Sequence, residues 1–295
     1  VTAAAETQKS DGGRYAWEGD YAMLFAASAL RGYAIAATDG HIGTVRDILF
    51  DDTAWKVRWL DIKAGSWLTG RKVLIHPSAI GKIDYVEQSL AVNLTVAKVK
   101  ASPSADHDRP VSRQMESGLY DHYSWDPVWG SSIFGASQAF ASPYVRGVGV
   151  REAAGHEEWD RDLQGAEEDP HLRSAVAVAG YHVHANDGAI GHVEDLLVDD
   201  RIWGIRYVVI DTSNWWSGQR VLMSPHAVRQ ISWKDRQFLL DVTRDQVKTA
   251  PQWNPSESVD ETYEKRLHSH YSWPGMDGDR NPLKRYEELP SSITY

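Results

Sequence analysis

No cysteine occurs anywhere in the 295 residues, which excludes disulfides, thiolate metal centres and cysteine nucleophiles. Long apolar runs are missing as well. The most apolar stretch, residues 21–30 (YAMLFAASAL), is too short to span a bilayer and lacks the basic flank of a signal peptide. No GxSxG elbow, phosphate loop, HExxH helix or dinucleotide fingerprint is present, and no spacing among Ser, His and Asp selects a catalytic triad. Positive charge is short: 31 Lys and Arg stand against 41 Asp and Glu, a formal net charge of −10. The basic residues are scattered rather than gathered on one face, so a nucleic-acid surface is disfavoured. The balance of apolar and charged residues is that of a soluble globular protein, and a cytoplasmic location is expected. The chain starts at Val1 rather than Met, and removal of an upstream residue or segment is expected.

What the sequence does contain is a repeat. A shift of 148 positions, without a gap, aligns Gly32-Tyr33 with Gly180-Tyr181, Ile42-Gly43 with Ile190-Gly191 and Asp51-Asp52 with Asp199-Asp200. It carries on through Trp55 and Trp203, Arg58 and Arg206, Pro77 and Pro225, to His122-Tyr123-Ser124-Trp125 and His270-Tyr271-Ser272-Trp273. About a third of the aligned positions are identical, which secures a duplication of residues 29–125 as residues 177–273. Each copy has the size of an independent domain, not of a stacking solenoid unit.

Two copies let each local reading be made twice. Residues 31–37 and 179–185 read as a first strand, and Asp39-Gly40 and Asn186-Asp187-Gly188 as hairpin turns. Residues 41–50 and 189–198 alternate, putting Val45, Asp47 and Leu49 on one face and Val193, Asp195 and Leu197 on its counterpart; that shared face is expected to be the inner one. The aromatic and β-branched segments WKVRWLDIK and WGIRYVVID make a third strand, KVLIH and RVLMS a fourth, and residues 81–94 and 229–242 a last hairpin. Thr243 with Gln246 has the spacing of a capping box. A further helix carries Glu116 and Leu119, or Glu264 and Leu267, and a short one is expected near residues 156–164.

The pattern Gly-Tyr-x-Val-x-Ala-x-Asp-Gly-x-Ile-Gly-x-Val-x-Asp at 180–195, with IRYVVIDT and QRVLMSP downstream, resembles a PRC-barrel domain, the cytoplasmic barrel of the photosynthetic reaction-centre H subunit. The resemblance covers residues 177–250 well and 29–102 less well. It implies a six-stranded β-barrel used as an interaction module and supplies no catalytic motif. The expected fold is therefore mainly β: two small PRC-type barrels in tandem, with short helices and a long irregular linker and tail. The divisions are an N-terminal arm (1–27), repeat 1 (28–130), a linker (131–173), repeat 2 (174–275) and a tail (276–295). The expected function is non-enzymatic scaffolding through protein–protein contacts, including self-association as a homo-oligomer, with no cofactor. Peripheral association with a membrane complex fits the resemblance. The alternatives are an RNA- or ribosome-associated factor, by likeness to a ribosome-maturation barrel, and a small-ligand or hydrolytic protein using a barrel mouth.

Three groups of residues stand out. Asp47 with Arg58, and Asp195 with Arg206, are expected to form a structural ion pair in each copy, since a carboxylate among apolar neighbours needs a partner. Trp67 and the pair Trp215 and Trp216 lie in the turns after the third strand. Tyr123 and Trp125, and Tyr271 and Trp273, close each copy; all seven aromatic residues are interaction candidates. His182 and His184, two apart on a strand, are weak metal-ligand candidates with His192 nearby; metal binding is not expected.

Overall fold

The computed structural model describes residues 23–65, 72–103, 113–125, 171–213 and 219–273. The expected helix near 156–164, the Trp-rich turns and the arm, tail and most of the linker lie outside them. The first module contains β1 (Leu24–Ala26), β2 (Ala34–Ala37), β3 (Gly40–Asp51), β4 (Lys56–Ala64), β5 (Lys72–Ile75), β6 (Ile80–Asp84) and β7 (Ser89–Val92), then helices α1 (Val96–Lys100) and α2 (Arg113–Tyr123). The second contains β8 (Leu172–Ser174), α3 (Ala175–Val178), β9 (His182–Ala185), β10 (Gly188–Asp199), β11 (Ile205–Asp211), β12 (Arg220–Met223), β13 (Val228–Ser232), β14 (Gln237–Leu240), α4 (Arg244–Thr249) and α5 (Glu261–Tyr271). The protein is mainly β, as expected, and the capping box of Thr243 and Gln246 is formed.

Each module folds into a seven-stranded sheet, with order β5-β4-β3-β2-β7-β6 in the first and β12-β11-β10-β9-β14-β13 in the second. The two paths are the same under the 148-residue shift. Among the described residues no ladder joins the path ends, β5 to β6 or β12 to β13; a tight 3-10 turn, Pro77–Ala79 or Pro225–Ala227, links them instead.

The long strands β3 and β10 are bulged, and the bulges correct the expected faces. In β3 the register steps between Val45 and Asp47, leaving Arg46 as the extra residue; in β10 the step leaves Glu194. An extra residue reverses the parity of every side chain beyond it. Val45 therefore shares the interior with Ile48 and Phe50, while Asp47 falls on the other face with Leu49. A second bulge between Leu49 and Phe50 makes Arg58 the extra residue of β4, and its counterpart makes Arg206 the extra residue of β11.

The seventh strand of each sheet comes from the other module. β1, the lead strand of module 1, pairs antiparallel with β10 (Leu24 with Asp199, Phe25 with Val198, Ala26 with Leu197). β8, the lead strand of module 2, pairs with β3 (Leu49 with Ser174, Phe50 with Arg173, Asp51 with Leu172). The exchange has a physical reason. β3 and β10 are 12 residues long, but β2 and β9 are only four and cover just the first part of one edge. An uncovered run of backbone N–H and C=O groups is a liability, and the lead strand of the neighbouring module fills it.

Candidate interaction site: the seam between the modules

The exchange is built around a pseudo-two-fold relation. Val57 N–H donates to Trp203 C=O at 2.8 Å, and Ile205 N–H donates to Trp55 C=O at 2.7 Å, two bonds that interchange under the 148-residue shift. Trp55 and Trp203 both hold positive φ, 51° and 55°, a conformation bulky residues rarely adopt. Each turn is held by an aspartate. Asp51 Oδ1 accepts from the N–H groups of Thr53 and Ala54, and Asp199 Oδ1 from those of Arg201 and Ile202. Trp55 then meets Phe238 of the other module at 6.4 Å edge-on, and Trp203 meets Phe25 at 5.7 Å. The buried apolar residues of both modules form one contiguous cluster.

The aspartates expected to pair with arginine serve the seam instead. Asp195 accepts from its neighbour Leu196 N–H at 2.8 Å, and from the N–H and hydroxyl of Ser28, which arrives with β1. Asp47 accepts from Ile48 N–H at 2.7 Å, from Val176 N–H at 3.2 Å and from the hydroxyl of Ser174. Burial pushes the Asp47 carboxyl above its ordinary range, with the Ser174 hydroxyl opposing. Neither aspartate has a contact with the arginine assigned to it, because the bulges place Asp47 and Asp195 on the seam side of their strands. Ser28 and Val176 are equivalent under the repeat, but Ser174 is equivalent to Ala26, so the two hydroxyls come from different positions.

The second aspartate of each pair faces across the seam. Asp52 takes Arg173 Nε at 2.9 Å and His171 Nδ1 at 2.9 Å, and the Arg173 guanidinium lies 4.0 Å from the Trp233 ring centre. In the mirrored place Asp200 accepts from Met23 N–H at 2.9 Å and from the Tyr85 hydroxyl at 3.4 Å. None of these serine, arginine or tyrosine partners is conspicuous in the repeat. The lead strands precede its start and share little identity, so the signal of the seam in the sequence lies in the retained residues on the receiving side: Asp47, Asp51, Asp52 and Trp55, with Asp195, Asp199, Asp200 and Trp203.

Arg58 and Arg206 point to the closing helices. Arg58, 2% exposed, donates to Glu116 of α2 and to Asp51 at 3.3 Å; Glu116 is fully buried and also accepts from the Trp59 indole. In module 2 Arg206 meets Glu264 of α5 at 3.1 Å, and Glu264 accepts from the Tyr207 hydroxyl at 2.9 Å, which in turn contacts His268 Nε2 at 3.1 Å. Each helix is thereby fixed to its own module.

The four closing aromatic residues do the same, packing on their own module. Trp125 N–H bonds to Tyr120 C=O across left-handed Ser124 (φ 57°), and Trp273 N–H to His268 C=O across Ser272 (φ 56°). This is the Schellman way of ending a helix. It folds Trp125 back onto Tyr123 at 4.2 Å and Trp273 onto Tyr271 at 4.3 Å, both stacked. Tyr123 and Tyr271 are buried. Trp67, Trp215 and Trp216 lie outside the described residues.

His76 completes the aromatic group under α2, edge-on to Trp59 and Tyr120 and tilted against Trp125. Its Nδ1 accepts from Ser78 N–H at 3.2 Å and so caps the 3-10 turn, as Ser224 does in module 2. Burial, with Lys56 and Arg58 nearby, lowers its pKa from 6.5 to about 4. The unfolded chain therefore takes up this proton first, and stability should fall as pH drops from about 6.5 towards 4. Allowing for partial exposure, the expected loss is about 2 kcal/mol. Denaturant melts of wild type and His76→Gln across that window should show a shallower slope in the variant.

His182 and His192 face each other across β9 and β10, with ring centres 5.9 Å apart. His184 lies two pairs further along, opposite Ala189. Among the described residues no three or more of His, Asp and Glu gather as metal ligands. A cleft of about 230 Å³ is lined by Gln219, Arg220, Gln252, Trp253, Asn254 and Pro255, smaller than the usual small-molecule site. No helix among the described residues is long and apolar enough to cross a membrane.

These features define a pair of related β-modules sharing one core through exchanged strands. Residues 23–97 match the family model of the PRC-barrel domain and are such a domain. The match begins with the exchanged strand β1. It falls on module 1, although the sequence pattern suggests that module 2 keeps the family signature more closely. Module 2 is tied to module 1 by the ungapped repeat and the common strand order. No curated protein is matched by the chain.

Proposed function

We propose that this protein is a non-enzymatic scaffold whose two modules act as one rigid, pseudo-symmetric block presenting its outer faces to protein partners, copies of itself included. The observation that carries the reading is the reciprocal strand exchange. Two modules that only needed to be near each other could be joined by a linker alone. Here each completes the other's sheet, so the distance and angle between their outer faces are set by the fold. The two modules differ at equivalent places. Around the bulge, module 1 has Arg46 and Lys72 on Asp61, whereas module 2 has Glu194 paired with Arg220 at 2.6 Å. Equivalent places on the block thus carry different charge patterns, suited to different partners.

The test is the mass of the full chain as it leaves its source cell, by light scattering and native mass spectrometry. An assembly well above the 33.1 kDa of one chain that survives ribonuclease is the expected result. A bare monomer would sink the proposal, and loss of the assembly on ribonuclease treatment would replace it with an RNA-associated role.

A further inference from the structure

We propose that His182 and His192 form a two-imidazole coordination site for a first-row divalent cation of the zinc, nickel or copper class, found in module 2 alone. His182 N–H bonds to Arg236 C=O on the β14 side of its strand. His182 and His192 are therefore a non-hydrogen-bonded pair of the antiparallel ladder, the kind in which facing side chains come closest. Their rings are inclined by only 30°, with centres 5.9 Å apart. Two imidazoles bound to one ion at about 2.0–2.1 Å, with an angle near tetrahedral, have ring centres roughly 5–6 Å apart. The observed spacing of the ring centres falls in that range.

The surroundings suit a cation. Asp211 stands in register with His192 on the next strand, its carboxylate oriented by Ser213 N–H and hydroxyl at 2.8 and 2.9 Å. His182 is exposed and His192 half-buried, so solvent can reach the pair. With two protein ligands the remaining coordination positions are open to water or to a group from another molecule. Imidazole suits zinc, nickel and copper better than magnesium or calcium. In module 1 the same two positions are Ala34 and Thr44, also paired across the ladder, so the site arose or was kept in one copy only.

The experiment titrates the full chain with zinc and with nickel, by calorimetry and by the shifts of imidazole resonances. The variants are His182→Ala, His192→Ala, the double variant and His184→Ala. The expected result is one ion per chain, at least ten-fold weaker binding in either single variant, and binding within two-fold of wild type for His184→Ala. Wild-type binding no tighter than that of the double variant would overturn the proposal, as would an equal loss in His184→Ala.

Discussion

Gly191→Ala should unfold module 2. A Cβ built on Gly191 falls 1.9 Å from the main-chain oxygen of Asp211 and 3.1 Å from Thr212 Cα, and the residue holds φ +143°. The obstacle is backbone of the neighbouring strand, which cannot swing aside as a side chain can. The β10–β11 ladder must therefore open beside the His192–Asp211 pair. A loss of more than about 4 kcal/mol is expected, at the extreme of single substitutions. Gly43 in module 1 has the same cause, its Cβ falling 2.1 Å from Lys63 O. Gly180→Ala is the control. Its φ is +84° but nothing lies within 4 Å of its Cβ, so only conformational strain of about 1–2 kcal/mol is expected. Chemical denaturation of the three variants would rank them; a Gly191→Ala protein as stable as Gly180→Ala would show that β10 and β11 do not approach this closely.

The second large effect is expected at Glu116. Removing this carboxylate takes the Glu116 acceptor from the Arg58 guanidinium, which is 2% exposed and whose contact to Asp51 is longer, and leaves the Trp59 indole N–H without that acceptor. Truncating one member of a buried pair costs about 3–5 kcal/mol, mostly from the charge left behind. For a protein of this size that lowers the melting temperature by about 10 °C. Glu264→Ala should cost less, about 2 kcal/mol, because Glu264 is 15% exposed and Tyr207 keeps His268 as a partner. Thermal melts of the two variants test this directly; equal losses would mean that the buried network of module 1 is no tighter than its slightly more exposed counterpart.

Much of the architecture is legible in the residues themselves. The ungapped repeat, the hairpin turns and the strand segments are local features, carried by Gly, Asp and alternating apolar residues. What is not legible follows from two physical facts. A bulge is one extra residue with no composition of its own, so a strict two-residue period puts Asp47 and Leu49 indoors with Val45, and the expected Asp–Arg pairing follows from that. The strand exchange joins residues more than 120 positions apart through backbone ladders, which demand little identity in the lead strands; only the retained residues on the receiving side, such as Asp51-Asp52 and Asp199-Asp200, betray it. His-Tyr-Ser-Trp is plain as a repeated segment but not as a helix ending, because Ser124 and Ser272 occupy the left-handed position where glycine would have announced the turn.

The reciprocal exchange is the claim on which the rest stands, and the absence of cysteine makes it directly measurable. Two double variants of the full chain, Ala26→Cys with Leu197→Cys and Ala26→Cys with Leu49→Cys, put a thiol on β1 and its partner on either module. Ala26 and Leu197 are register partners, at a separation a disulfide bridges readily, and Leu49 is the equivalent of Leu197 in module 1. Under mild oxidation at low protein concentration, the exchanged arrangement predicts a near-complete intrachain disulfide in the first variant and free thiols in the second. A disulfide in the Ala26–Leu49 variant with none in the Ala26–Leu197 variant would mean that each lead strand lies on its own module, and would contradict the account.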